Sequence, residues 1–189
     1  MAGYVISSPR YNFYMVNIFQ NQRLRHIFLW LVLFLGGSGW ALPAAAELLT
    51  ADHVVVHKAD RRLSLYNGNK LLGEYKVKLG LSPVGTKERE RDFRTPEGRY
   101  YLARRNTRSD YFLSIQVSYP NKDDEVRARK NHWAPGGSIM IHGLPNVPKH
   151  PAAYYATSDW TDGCIALSNS DMVEVWLRTQ DNIPIDIYP

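Results

Sequence analysis

The only cysteine of the chain, Cys164, lies in the stretch TDGCIAL, directly after a glycine, and His142 ends the apolar stretch IMIH 22 residues earlier. A thiol becomes a strong nucleophile as a thiolate, and a neighbouring imidazole can accept its proton. The backbone N–H groups around Gly163 and Cys164 could then stabilise an oxyanion, because glycine lets the backbone approach a substrate closely. These residue types predict acyl transfer through a thioester, with Cys164 as nucleophile and His142 as general base.

Other interpretations of these residues stay open at this point. A lone cysteine is often a small buried hydrophobe, and a histidine at a strand end is more often structural than catalytic. A metal site built on His142, His150 and Cys164 would match no standard zinc spacing and would lack an obvious fourth ligand. We therefore expect no metal and no organic cofactor. The candidate substrate-binding residues near the pair are Thr161, Asp162, His132 and Trp133.

The N-terminal part of the chain predicts an export signal. Two arginines precede the apolar run at residues 27–35, and an Ala-x-Ala site ends at Ala46. This pattern is typical of a secretory signal peptide, and the run is shorter than the ~20 residues that span a bilayer. An uncleaved anchor is the alternative, and Met15 is an alternative natural start. We expect a signal peptide at residues 1–46 and a periplasmic domain at residues 47–189, with membrane contact only through the leader.

Charge and cysteine count limit the classes of function. The net charge of the chain is +5, but residues 47–189 carry 20 basic and 18 acidic side chains. Such a balance lacks the one-sided basic charge of a nucleic-acid-binding domain, so no nucleic acid partner is expected. An exported compartment is oxidising, and one cysteine cannot close an intrachain disulfide. Cys164 is therefore a link between chains, an inert buried residue or a reactive group.

The exported part reads mostly as strands, with a hairpin predicted at Asn67-Gly68. Alternating or compact β-branched patterns predict strands, and an amphipathic pattern after the cysteine predicts a C-terminal helix. Many short strands with turn residues between them favour a sandwich or a barrel. The predicted strand regions are residues 53–80, 94–105, 110–120, 136–143 and 183–188, and the predicted helices are residues 123–130 and 170–180.

Residues 51–189 resemble the L,D-transpeptidase catalytic domain, also called the YkuD family. The likeness rests on the early hairpin VVVHKADRRLSLYNGNKLLGEYKVKLG, the segment RTPEGRYYL, and IHG followed by TDGCIAL. It implies a mostly β, sandwich-like fold with one or two short helices, one of them C-terminal to the cysteine loop. It also implies attack on the bond between the L-centre of diaminopimelate and D-Ala in a peptidoglycan stem peptide. A second stem, a D-amino acid or a lipoprotein lysine then accepts the acyl group.

The resemblance assigns roles to four residues of this chain. The nucleophile of the family falls on Cys164 and its base on His142. Gly143 would orient the imidazole through its backbone carbonyl, and Gly163 matches the glycine before the nucleophile.

Two positions depart from the family pattern. Asp162 stands where the family often has a second histidine, and Ala166 stands where it usually has an arginine that meets a substrate carboxylate. Losing a bidentate carboxylate ligand is not a small change. The candidate replacements are Arg127, Arg129 and Lys149.

The pattern GCIAL is similar to a divergent subgroup that includes a hydrolase detaching lipoprotein from peptidoglycan. The first hypothesis is therefore a peptidoglycan L,D-transpeptidase, with stem peptides as partners. An L,D-endopeptidase, a carboxypeptidase or a hydrolase releasing a wall-linked lipoprotein is the alternative within the same chemistry. A non-catalytic wall-binding module is the alternative from another class. An activated Cys164 would alkylate rapidly below pH 7, whereas a structural one would not.

Overall fold

The structure, a computed structural model, describes residues 48–189. This part of the chain forms eight strands and three helices. The predicted signal peptide and both candidate start sites lie outside the described residues. No helix within residues 48–189 is long and apolar enough to cross a membrane. The strands are β1 (His53–His57), β2 (Arg62–Asn67), β3 (Lys70–Lys76), β4 (Gly98–Asn106), β5 (Ser114–Val117), β6 (Met140–His142), β7 (Ile165–Ala166) and β8 (Pro184–Tyr188). The helices are α1 (Lys122–Lys130), α2 (Ala152–Thr157) and α3 (Asn169–Arg178).

The strands form one sheet in the order β3-β2-β1-β8-β4-β5-β6-β7. Neighbours pair antiparallel except β1 with β8 and β6 with β7, which pair parallel. The sheet curls until its two ends meet. Residue Lys78, just after β3, exchanges two backbone hydrogen bonds of 2.8 Å with Ala166 of β7. A second bridge joins Gly80 to Thr161.

The inside of the curl holds the hydrophobic core. The strand predicted from the compact β-branched run is β1, in which Val54 and Val56 are fully buried and Val55 between them is partly exposed. The same side of the chain contributes Leu63 and Leu65 from β2 and Ile185 from β8. Burying each such side chain contributes about 1.5–3 kcal/mol, so the core is the main force that keeps the sheet curled.

Two helices were expected and three are present. The helix α1 begins with a capping box, in which the Asn121 side chain accepts from the N–H of Asp124 while the Asp124 carboxylate accepts from the N–H of Asn121. Ser168 caps α3, and Met172 and Val175 of that helix enter the core. The sequence did not predict α2, which has six residues and no side-chain cap.

The mostly β, L,D-transpeptidase-like fold class is confirmed, including the helix after the cysteine loop. The strand regions predicted at residues 110–120 and 136–143 are longer than the strands observed there, β5 and β6. The excess residues form loops around the site described next. Gly68 has the positive φ of 53° that the predicted hairpin turn requires.

Candidate active site

The parallel strands β6 and β7 bring His142 and Cys164 to one place. Ile141 lies opposite Ile165, and His142 lies opposite Ala166. Cys164 directly precedes β7, so it is a diagonal neighbour of His142 across the strand pair. Both residues line the same cleft, which has a volume of about 1030 Å³.

A compact turn before Cys164 is closed by the hydroxyl of Thr161. That hydroxyl accepts from the Gly163 N–H at 3.1 Å and donates to the Cys164 carbonyl at 2.8 Å. Gly163 has a φ of 129°, and a Cβ atom there would lie 2.5 Å from the Arg94 carbonyl oxygen. Only glycine fits this position, because both the backbone angle and the contact exclude a side chain.

These contacts change the expected roles of Thr161 and Gly163. The hydroxyl of Thr161 is occupied by the turn, so its interactions are structural although the residue lines the cleft. The N–H of Gly163 points to Thr161 and is not a free oxyanion donor in this conformation. Within residues 48–189, no hydrogen bond takes up the N–H of Cys164. The backbone donor next to the thiol is therefore that of Cys164 itself.

His142 is oriented by the residue that follows it. The side chain is buried, at 3% exposure, and its Nδ1 donates to the Gly143 carbonyl at 2.7 Å. This contact, which the resemblance implied, leaves Nε2 as the nitrogen with a free lone pair. A side chain at Gly143 is excluded, because a Cβ atom there would lie 2.6 Å from Oδ1 of Asn169. That same Oδ1 accepts from the N–H of Leu144 at 2.8 Å and so holds the chain after Gly143.

An aromatic wall encloses the imidazole of His142. The ring of Tyr111 lies 4.6 Å from it and the ring of Trp160 lies 5.6 Å from it, measured between centroids. Tyr155 packs edge-on against Trp160 at 5.0 Å. Burial lowers the pKa of His142 from 6.5 to about 4, although the Gly143 carbonyl acts in the opposite direction. The imidazole is therefore neutral at neutral pH, and the lone pair of Nε2 is not blocked by a proton.

The side chain of Asn146 holds Tyr111 in place. Its Oδ1 accepts from the N–H of Phe112 at 2.9 Å, and its Nδ2 donates to the Ser109 carbonyl at 2.8 Å. Its own N–H donates to the Asp110 carbonyl at 2.9 Å. The loop before β5 is thereby fixed to the loop after β6, and Tyr111 is presented to His142.

The thiol of Cys164 is partly exposed and has a raised pKa. Burial is the largest cause, and the negative charge of Asp162 acts in the same direction. The backbone of Met140 and the charge of Lys87 lower the pKa but do not reverse the shift. The free protein therefore holds a protonated thiol beside a neutral imidazole. Rapid alkylation below pH 7 was the sign expected of an activated thiol, and this geometry does not favour it, because burial disfavours both charged forms.

The structure does not bring every candidate residue into the cleft. His132 and Trp133 follow α1 and are not among the cleft-lining residues, and the ring of Trp133 packs under the guanidinium of Arg89 at 5.3 Å. Arg127 and Arg129 pair with acidic residues of their own helix.

Several residues that line the cleft were missed or only partly anticipated. Lys149 lines it, as do Arg91 and Arg108, which sequence reasoning did not single out. Ala166 is buried, at 2% exposure, and its backbone is used by the bridge that closes the sheet. No pattern in the sequence predicted a role for Tyr111. Its contact with His142 depends on hydrogen bonds to Asn146, 35 residues later.

The third residue of the candidate metal site, His150, lies in the cleft but belongs to no metal-binding cluster in the described part of the chain. Within residues 48–189, no group of three or more His, Cys, Asp or Glu side chains is close enough to hold a metal. His150 stacks on Tyr154 at 4.3 Å and lines the cleft.

Comparison with known proteins places this cleft in a family. Residues 51–187 match the YkuD family, the L,D-transpeptidase catalytic domain. YafK of Escherichia coli (strain K12), provisionally named an L,D-transpeptidase, is 26% identical in an alignment 173 positions long that covers 82% of this chain and 63% of YafK. The chain thus spans under two thirds of that relative.

Two solved structures share the fold at moderate identity. The helical cell shape determining protein Pgp2 of Campylobacter jejuni is 28% identical, with a TM-score of 0.57 over 71% of this chain and 46% of Pgp2. Bd1075 of Bdellovibrio bacteriovorus is 26% identical, with a TM-score of 0.51 over 75% of this chain and 51% of Bd1075. With a family match that extends over most of its length, the chain belongs to the YkuD family of L,D-transpeptidase catalytic domains.

Proposed function

We propose that this chain is a periplasmic cysteine acyltransferase that acts on peptidoglycan stem peptides. The observation that carries the proposal is the cleft in which a fixed, neutral imidazole at the end of β6 lies beside the only thiol of the chain, just before β7. Membership of the L,D-transpeptidase family supports the reaction and the substrate class. A role in wall remodelling is in keeping with the likeness to Pgp2, a cell shape determinant.

The first half of the reaction forms a thioester. Sγ of Cys164 attacks the carbonyl carbon between the L-centre of diaminopimelate and D-Ala, while Nε2 of His142 takes the thiol proton. The N–H of Cys164 is the backbone donor available to the developing oxyanion. When the tetrahedral intermediate collapses, the C–N bond breaks and the D-Ala amine leaves with the proton held by His142.

The second half returns the acyl group to an acceptor. An amine of a second stem peptide, a D-amino acid or a lipoprotein attacks the thioester, with His142 again as general base. The new amide forms, the C–S bond breaks, and the thiol regains its proton. The free lysine amine of a lipoprotein is thus one of the proposed acceptors, and a wall-linked lipoprotein is the product of that transfer.

Hydrolysis is the second candidate outcome. Cys164 is partly exposed in a wide cleft, so water can reach the thioester that forms there. Water would give an L,D-carboxypeptidase on a tetrapeptide or an endopeptidase on a cross-linked stem, with the same two residues at work.

The test is product mass after mixing the purified protein with tetrapeptide muropeptides and a free D-amino acid. We expect loss or exchange of D-Ala with the intact protein and none with Cys164→Ala. Exchanged ends or new cross-links indicate transfer, and loss of D-Ala alone indicates hydrolysis. Equal products from both proteins would refute the cysteine mechanism. No product from either protein would favour the non-catalytic wall-binding module.

A further inference from the structure

The carboxylate of Asp162 has no partner inside the described part of the chain. The turn around it is closed by Thr161, whose hydroxyl makes both hydrogen bonds of that turn. Asp162 is exposed and lines the cleft beside Cys164. Among residues 48–189, its carboxylate makes no hydrogen bond and no ion pair. The fold therefore does not need this negative charge.

The same charge works against the nucleophile. It raises the pKa of the Cys164 thiol and contributes to the raised pKa of the Tyr111 phenol. Both effects arise because a nearby negative charge disfavours a second anion. A positive charge bound at Asp162 would offset this repulsion at the moment when the thiolate forms.

The other charges of the cleft form a complementary set. Arg91, Arg108 and Lys149 line it, and none of the three pairs with an acidic side chain within the described residues. The remaining charged residues of the lining are Lys87, which pairs with Asp92, and the acidic Glu90 and Asp110. A ligand with an ammonium and a carboxylate on one carbon carries both charges that this lining can pair, because an acid lies beside the thiol and unpaired cations line the same cleft.

We propose that Asp162 is a specificity-determining residue that binds the protonated amine on the second centre of the donor's diaminopimelate. This inference rests on the proposed function, because that substrate class supplies the donor. The unreacted centre of diaminopimelate carries both a free amine and a free carboxylate. The amine reaches Asp162, and the carboxylate is left to the cations of the cleft.

A binding experiment tests the inference without turnover. Two tetrapeptide muropeptides are compared, one with this amine free and one with it N-acetylated, by calorimetry on the full chain carrying Cys164→Ala. An exposed ion pair is worth little, so we expect the free amine to bind about fivefold tighter at low salt. The preference falls to none in the double variant Cys164→Ala, Asp162→Asn. The matched control Asp110→Asn, also in the Cys164→Ala background, removes a different cleft carboxylate and keeps the preference.

Two results would overturn the inference. One is equal binding of the two donors by the Cys164→Ala protein, and the other is a preference that survives Asp162→Asn. Raising the salt concentration must also shrink the preference, since an exposed ion pair is screened. The failure of the proposed function looks different. In that case the intact protein forms no Cys164-dependent product from either donor, whatever the binding experiment shows.

Discussion

The buried imidazole of His142 predicts a loss of stability in mild acid. In the folded protein the pKa of His142 is about 4, while in the unfolded chain it returns to 6.5. Between these two values the unfolded state binds the proton and the folded state does not. The free energy of unfolding therefore falls as the pH is lowered from 6.5 towards 4, and the contribution is fully present above pH 6.5.

The size of this effect follows from the two pKa values. The linkage relation gives a loss of about 1 kcal/mol at pH 5.5 and about 3 kcal/mol at pH 4.5 from this one residue. Such a loss is a large share of the 5–15 kcal/mol that is typical of a folded domain. Acidic residues with lowered pKa values, such as Asp92 and Asp186, add their own losses as they become protonated at lower pH.

Urea unfolding at several pH values measures the effect. The variant His142→Gln keeps a polar side chain that cannot take up a proton. It therefore lacks only the contribution of His142 to the pH dependence of stability and keeps the contributions of all other residues. We expect the wild-type stability to fall by about 2 kcal/mol more than that of the variant between pH 7 and pH 4.5. If the two proteins lose stability in parallel, burial does not lower the pKa of His142 in the folded protein.

Three further changes test other parts of the site. Gly163→Ala places a side chain at a positive φ and against the Arg94 carbonyl. We therefore expect a loss of about 1–3 kcal/mol in the free energy of unfolding, measured in urea, and greatly reduced turnover. A fully active variant would contradict the turn geometry. Asn146→Ala removes two side-chain hydrogen bonds and frees Tyr111, which should cost about 2 kcal/mol of stability and change turnover. Unchanged kinetics would show that the aromatic wall is not needed. Because the pKa of Cys164 is raised, its alkylation should be slow at pH 7 and should still be rising above pH 9, whereas a rate plateau below pH 7 would contradict this.

Local patterns in the sequence predicted a good part of this fold. The compact β-branched run in β1 and the alternation in β2 predicted strands, and the Asn67-Gly68 turn predicted the hairpin, because these signals depend on neighbours in the chain. The C-terminal helix could be predicted for the same reason. The ends of the strands near the site could not be predicted from the sequence, because β5, β6 and β7 are short and end where loops fold back.

The pair His142 and Cys164 could be proposed from residue type and from family likeness, but its environment could not. The position of Tyr111 depends on hydrogen bonds from Asn146, and the position of Gly143 depends on Asn169, 26 residues later. Asp162 was expected among the substrate-binding residues, and only the contacts of Thr161 show that the turn does not use its carboxylate. These are long-range contacts between loops, and no periodic pattern in the sequence reports them.

The bridge between Lys78 and Ala166 has a consequence for how the site moves. The segment that carries the thiol is held by backbone hydrogen bonds on both sides, to β6 and to residues 78–81. The hydrogen-bonded amides of Thr161, Ala166 and Leu167 should exchange with solvent only when the curled sheet opens, whereas the N–H of Cys164 lacks this protection within residues 48–189. The residues of the aromatic wall belong to loops and to the uncapped helix α2, where local opening needs less free energy. Substrate entry can therefore rearrange the wall while the nucleophile stays anchored in the part of the protein that unfolds last.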